Sequence, residues 1–180
     1  MKLTLQLKHI DETPWFCHGS LQWLWVMTSP QVAFYRIDPH RSTEAFLALI
    51  DDWAGILVSD GYGVYQRWVA QRQTCLAHLI RRARGLAQRS LPEVATCGTR
   101  VLAELQRLCH MAHFPPTGGA WRAWYARLCG LLTRYHDRQD DAGQLVRHLL
   151  RELDALWVFL REHGVEPTNN RAERALRFAV

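Results

Sequence analysis

Residues 55–61 read Gly55-Ile56-Leu57-Val58-Ser59-Asp60-Gly61. Three consecutive apolar residues, two of them β-branched, sit between a glycine and a Ser-Asp-Gly turn signal. That pattern predicts a short strand buried on both faces. Such strands belong to the interior of sheets covered by helices, so the stretch points to an α/β fold. It also carries Asp60 to the carboxyl edge of the strand, where sheets of this class build their sites.

Upstream, Leu3, Leu5 and Leu7 alternate with Thr4, Gln6 and Lys8. This period of two predicts a first strand that Asp11 closes. A turn-like stretch with Pro14 and Gly19 follows. Leu21–Thr28 and Gln31–Ile37 read as second and third strands, and the three predict an antiparallel meander. The period then changes. Ser42 is a candidate N-cap, and Phe46, Leu47, Leu49, Ile50 and Trp53 recur at helical spacing until Gly55.

Downstream, a short helix is predicted around Val64–Ala70, a brief strand at Gln73–Ala77, and an Arg-rich helix from about His78 to Gln88. Three further helices follow at Val94–His113, Trp121–Tyr135 and Gln144–His163, each with apolar residues at i, i+3 and i+4. Trp121, Trp124 and Trp157 read as core of this helical block. Gly164 closes the last of the three, and Asn169 to about Phe178 forms a final short helix.

The composition fits this layout. The chain has 180 residues, 48% of them hydrophobic and 22% charged, which excludes a largely disordered chain. No apolar run reaches the roughly 18 residues of a membrane span. The N-terminus lacks the apolar core of a signal peptide. A soluble, intracellular protein with no membrane partner is expected. The five cysteines have no framework spacing and read as reduced thiols. The formal net charge is +5, and Lys occurs only at Lys2 and Lys8, so nearly all the positive charge is arginine. Arginine forks suit phosphate oxygens, which hints at a polyanionic partner.

If the first and fourth strands are parallel neighbours, Asp11 and Asp60 emerge side by side. Two close carboxylates repel unless a cation lies between them, and hard oxygen ligands suit Mg²⁺. Each aspartate alone reads better as a turn or helix cap; it is the pair that brings the metal reading level with that one. On the last helix, Asn169 and Glu173 are i and i+4 and share a face. Arg171, Arg174 and Arg177 form a stripe at i, i+3 spacing. This suits a metal ligand beside a phosphate track, or simply a solvated, salt-bridged helix.

Four segments together carry a resemblance. They are Asp11-Glu12-Thr13 with Trp15; Gly55 to Tyr62 with Tyr65; Cys75-Leu76-Ala77-His78 with Arg81-Arg82; and Pro167-Thr168-Asn169-Asn170-Arg171-Ala172-Glu173-Arg174. In order and placement the chain resembles the catalytic domain of the IS66-family transposases, a branch of the DDE transposases. The resemblance implies an RNase H-like mixed sheet with flanking helices and an α-helical insertion before the last catalytic helix. The core would span 1–90, the insertion 91–164 and the closing helix 165–180. It implies Asp11, Asp60 and Glu173 as catalytic, metal-binding residues holding two Mg²⁺ ions, with Mn²⁺ as a substitute. Among DNA contacts it suggests His78, Arg81, Arg82, Asn169, Asn170, Arg171 and Arg174. The implied activity is cleavage and strand transfer at insertion-sequence ends, with DNA ends and target as partners. A homo-oligomer, or pairing with a full-length transposase, and a cytoplasmic, nucleoid-associated setting are also implied. Relative to the family the chain begins close to Asp11 and stops at Val180, so truncation at both ends is expected. The alternatives are a non-catalytic DNA-binding or inhibitory remnant, and an RNase H-like nuclease that cuts without joining.

Overall fold

The computed structural model describes residues 7–179. The expected strand positions Leu3 and Leu5 lie outside the described residues. In chain order the elements are β1 (Leu7–Cys17), β2 (Ser20–Thr28), β3 (Ala33–Asp38), α1 (Thr43–Ile50), β4 (Ile56–Ser59), β5 (Arg72–Thr74), α2 (Leu76–Ala87), α3 (Pro92–His110), α4 (Gly118–Tyr135), α5 (Asp141–Arg151) and α6 (Asn170–Ala179). They fall into two compact units, residues 1–75 with 164–180, and residues 76–163. The sequence reading places these boundaries at 90/91 and 164/165. Among the described residues no helix is long and apolar enough to cross a membrane.

The first unit is a five-stranded mixed sheet in the order β3-β2-β1-β4-β5. β1, β2 and β3 form the expected antiparallel meander. β4 lies parallel to β1, and β5 parallel to β4. A meander followed by parallel strands on the other side of β1, with a helix on each face, is an RNase H-like arrangement. One face packs on α1, where Ile10, Trp25, Phe46, Leu49, Leu57 and Tyr65 form the core. The other face packs on α6 through Leu24, Val26, Ala172 and Leu176. All four residues of β4 are buried, as its unbroken apolar run predicts. Each large side chain so buried contributes about 1.5–3 kcal/mol.

Three local expectations are corrected. β1 does not end at Asp11 but runs through Pro14 to Cys17, with Pro14 paired to Trp23. Beyond His9 the strand has no β4 neighbour, so it behaves as an edge, where proline is tolerated. The turn proper is His18-Gly19, both at positive φ, which is the two-residue geometry that matches strand twist. α1 starts as expected with the Ser42 hydroxyl accepting from Ala45 N–H, but it stops at Ile50, before Gly55. The helix expected around Val64–Ala70 is a single 3-10 turn, Tyr65–Arg67.

The second unit is helical. Its strongest packing joins α2 and α3, where Gly98 faces the α2 backbone so closely that a Cβ would lie 2.3 Å from Ala87 N. Trp124 and Trp157 are buried in this unit, as expected, whereas Trp121 is half-buried, and Trp157 meets Trp121, Trp124 and Tyr125 edge-to-face. The helix expected over Gln144–His163 ends at Arg151 and continues as two 3-10 turns. Leu156, Trp157, Val158 and Phe159 are buried in succession. No single helix face can bury four consecutive residues, so the regular helix gives way.

Candidate active site

Strand β1 alternates its side chains between the two faces of the sheet. Even positions, Ile10 and Glu12, face α1. Odd positions face α6: Asp11 and Thr13 stand opposite Val26 and Leu24, which pack on Ala172 and Leu176. The parallel pairing with β4 ends at His9 and Val58. Carrying that register two residues further brings Asp60 beside Asp11. Asp11 is thus not at the end of its strand but at the point where β4 parts from it. Glu173 comes from α6, one turn after Asn169 and next to the buried Ala172.

Electrostatics record the convergence of the three carboxyl groups. Burial raises the Asp11 carboxyl from 3.8 to about 8, and the charges of Glu12, Asp60 and Glu173 push it the same way. The Glu12 backbone N–H, 3.0 Å from Asp11 Oδ1, opposes them. Asp60 is half-buried, and its Oδ1 accepts the Tyr62 backbone N–H at 2.9 Å, which fixes the turn after β4. Among the described residues, the ligand oxygens of these three do not all lie within 4.8 Å of one another. Three hard oxygen donors, two of which disfavour the charge of the third, Asp11, are a donor set suited to Mg²⁺ or Mn²⁺.

Two buried polar clusters fix the elements that carry these carboxylates. On the α6 face, Asn169 Nδ2 donates to the Ile10 carbonyl at 2.7 Å. Its Oδ1 lies 3.2 Å from His9 Nδ1 and therefore accepts the proton of that nitrogen. Burial lowers the His9 pKa to about 4, so the ring is neutral at physiological pH. The Asn169 backbone N–H in turn donates to the buried Cys75 thiol at 3.1 Å. These bonds tie the start of the Glu173 helix to the strand that bears Asp11.

On the opposite face, Glu12 is buried and held by Arg41, whose Nε lies 2.6 Å from Oε1, and by the Tyr65 hydroxyl. Burial raises the Glu12 pKa, which Tyr65 and Arg41 oppose. The Arg41 guanidinium lies 3.8 Å from the centre of the Tyr62 ring, and the Tyr62 hydroxyl donates to the Arg41 carbonyl at 2.9 Å. The chain from Glu12 to Arg41 to Tyr62 thereby supports the turn that presents Asp60.

The remaining expected residues are distributed as follows. Asn170 and Arg174 are exposed on α6. Arg171 is half-buried and donates to Glu166 at 3.2 Å. His78, half-buried, and Arg81 and Arg82, both exposed, lie on α2 in the second unit. Asn169 requires correction: expected among the DNA contacts, it is fully buried, and both ends of its amide are engaged inside the sheet. Sequence reasoning missed His9 and Arg41. The available signal was the acid at Glu12, two residues from the apolar Ile10 on the same face of a strand, because a buried carboxylate requires a cationic partner.

The model of the family described as "Transposase IS66 family" matches residues 3–180. No curated protein matches the chain. Among solved structures it is similar to a chain of the "CryoEM structure of simian T-cell lymphotropic virus intasome in complex with PP2A regulatory subunit B56 gamma". That similarity has 14% identity and a TM-score of 0.35, and covers 80% of this chain and 55% of that one. The match thus spans about half the length of that relative. With the family model matching nearly every residue, the chain belongs to the IS66 family of transposases.

Proposed function

We propose that this chain is a DDE-type catalytic domain that cleaves DNA at insertion-sequence ends and transfers the strand to a target. Asp11, Asp60 and Glu173 are its metal ligands. The observation that supports the reading most is that Asp60 and Glu173 lie near enough to Asp11 for both to raise its carboxyl, and that all three belong to the sheet unit. Membership of a transposase family supports DNA as the substrate class.

In this reading Mg²⁺ held by the three carboxylates, or Mn²⁺ in its place, would supply Lewis acidity that polarises a phosphate and favours deprotonation of the attacking hydroxyl. Asp11 would hold it from β1, Asp60 from the turn after β4, and Glu173 from α6. Asn169 sets the position of Glu173, and the Glu12–Arg41–Tyr62 chain sets that of Asp60. No serine or tyrosine nucleophile is required. Asn170, Arg171 and Arg174 contact phosphates beside the site, and His78, Arg81 and Arg82 offer phosphate contacts of their own on α2. Joining an element end to a target engages two DNAs, and self-association belongs to the reading.

The test is nicking of supercoiled plasmid in Mg²⁺ or Mn²⁺, followed by joining of a pre-cleaved end. The expected result is metal-dependent nicking that Asp11→Asn, Asp60→Asn and Glu173→Gln each reduce by at least about 10³-fold, of the order of removing one electrostatic stabiliser of a transition state. Folded protein without activity, or activity that survives these changes, would overturn the assignment. Nicking without joining would leave a nuclease in place of a transposase.

A further inference from the structure

The second unit carries a charged groove that the proposed chemistry does not use. It lies between α3 and α4 and has a volume of about 460 Å³. Arg100 and Arg107 stand on one side, Arg127 and Arg134 on the other. Each pair is separated by seven residues, which is about two turns and about 10.5 Å along the helix axis, so each pair shares a face. All four arginines are exposed.

Buried Glu104 forms part of the groove wall. Its Oε1 accepts from Arg107 on the same helix and from Arg127 Nε at 3.2 Å across the groove. One carboxylate therefore holds one guanidinium from each side and sets its direction. Arg100 and Arg134 make no ion pair among the described residues. Gly130 puts no side chain between the rows.

A solvated helix face usually mixes acids with its arginines at i, i+4 spacing. α4 has no acidic residue at all. Glu104 is the sole acid lining the groove, which leaves a surplus of three positive charges. Two parallel rows of guanidinium groups above a low floor match the charge and linear form of a nucleic-acid backbone.

We infer that this groove is a track for the phosphate backbone of duplex DNA, held by Arg100, Arg107, Arg127 and Arg134 without reading base sequence. The inference rests on the proposed function for its choice of DNA, and it adds a binding surface in the helical unit. Glu104 acts as a positioning residue for two of the four arginines.

The test uses the full chain in EDTA, so that cleavage is silent. Binding of a fluorescent mixed-sequence duplex is followed by anisotropy over a range of NaCl concentrations. Replacing all four arginines would leave Glu104 buried without a partner and put folding at risk. Arg100→Gln/Arg134→Gln leaves the Glu104 clamp intact. Arg122→Gln/Arg161→Gln removes the same charge elsewhere in the same unit and serves as the control. The expected result is a weaker complex and a salt dependence shallower by about 1.8 in log–log slope for Arg100→Gln/Arg134→Gln, with a clearly smaller change in the control. Equal effects of the two pairs would overturn the groove while leaving the catalytic reading untouched. A parent chain that binds no duplex at low salt would overturn the groove as well, and metal-dependent nicking then reports separately on the catalytic reading. Inorganic phosphate that displaces the duplex far better than chloride at equal ionic strength would point to a single-phosphate pocket and likewise overturn the track.

Discussion

Asp11 holds its proton to an unusually high pH because burial and three neighbouring acids disfavour its charge. Its pKa in the folded chain, about 8, lies above the ordinary 3.8. Between those values the folded state binds more protons than the unfolded state. The stabilising contribution is therefore fully present below the lower value and is lost as pH rises through the upper one. The metal-free protein is predicted to melt at a lower temperature near about pH 8 than near about pH 5, all else equal. Mg²⁺ offsets the repulsion between ionised carboxylates, so it should raise the melting temperature more at the higher pH. Asp11→Asn should flatten both effects, and thermal melts with and without Mg²⁺ check this. Arg41 makes a second argument at the same scale. Removing it as Arg41→Met leaves Glu12 buried beside Tyr65 without a cation. Breaking a buried pair costs about 3–5 kcal/mol, and the partial exposure of Arg41 places this one near the low end. Urea unfolding of the variant measures it, with Glu12→Gln expected to be milder.

Helix α6 is short, ten residues, and rests on the sheet by a narrow apolar face. Asn169 supplies what that face lacks. Asn169→Ala removes the partners of His9 Nδ1 and the Ile10 carbonyl, so a loss of about 2–4 kcal/mol is expected, together with weaker Mn²⁺ binding through Glu173. Urea unfolding and Mn²⁺ titration read the two effects separately. In the helical unit, Gly98 and Gly85 make opposite predictions. A Cβ at Gly98 would meet the rigid backbone of Ala87, so Gly98→Ala should destabilise by about 1–3 kcal/mol or more. A Cβ at Gly85 meets nothing within 4 Å, so Gly85→Ala within α2 should stabilise by about 0.5–1 kcal/mol. Thermal melts of the two variants check the pair. The elements differ in how far the sequence announces them. β4 was legible because Gly55 and Ser59-Asp60-Gly61 bracket an apolar run. The sequence predicts an end of β1 at Asp11 because Pro14 looks like a turn signal. That signal fails where β4 has already left the strand and no ladder bond toward it is required. The break after Arg151 was hidden because four consecutive apolar residues fit any period.

Across the whole molecule, the sheet unit is assembled from both ends of the chain, residues 1–75 and 164–180, with residues 76–163 of the helical unit between them in sequence. In the sequence Asp60 stands out at the end of an apolar run and Glu173 on a helix face, whereas Asp11 lies inside β1, which runs on to Cys17. The supports of these carboxylates were not legible, since Arg41 is 29 residues from Glu12 and Asn169 is 160 from His9. Only the sheet order and the α6 packing bring such pairs together. The arginine groove was likewise invisible in a count of +5, because it depends on α3 and α4 lying side by side. The central claim is that Asp11, Asp60 and Glu173 form one metal site. Calorimetric titration of Mn²⁺ into the full chain and into Asp11→Asn, Asp60→Asn and Glu173→Gln tests it most directly. The account predicts binding to the parent and a loss of affinity of at least about tenfold in every variant, as a missing ligand should produce. Parent-like binding in all three variants would contradict it.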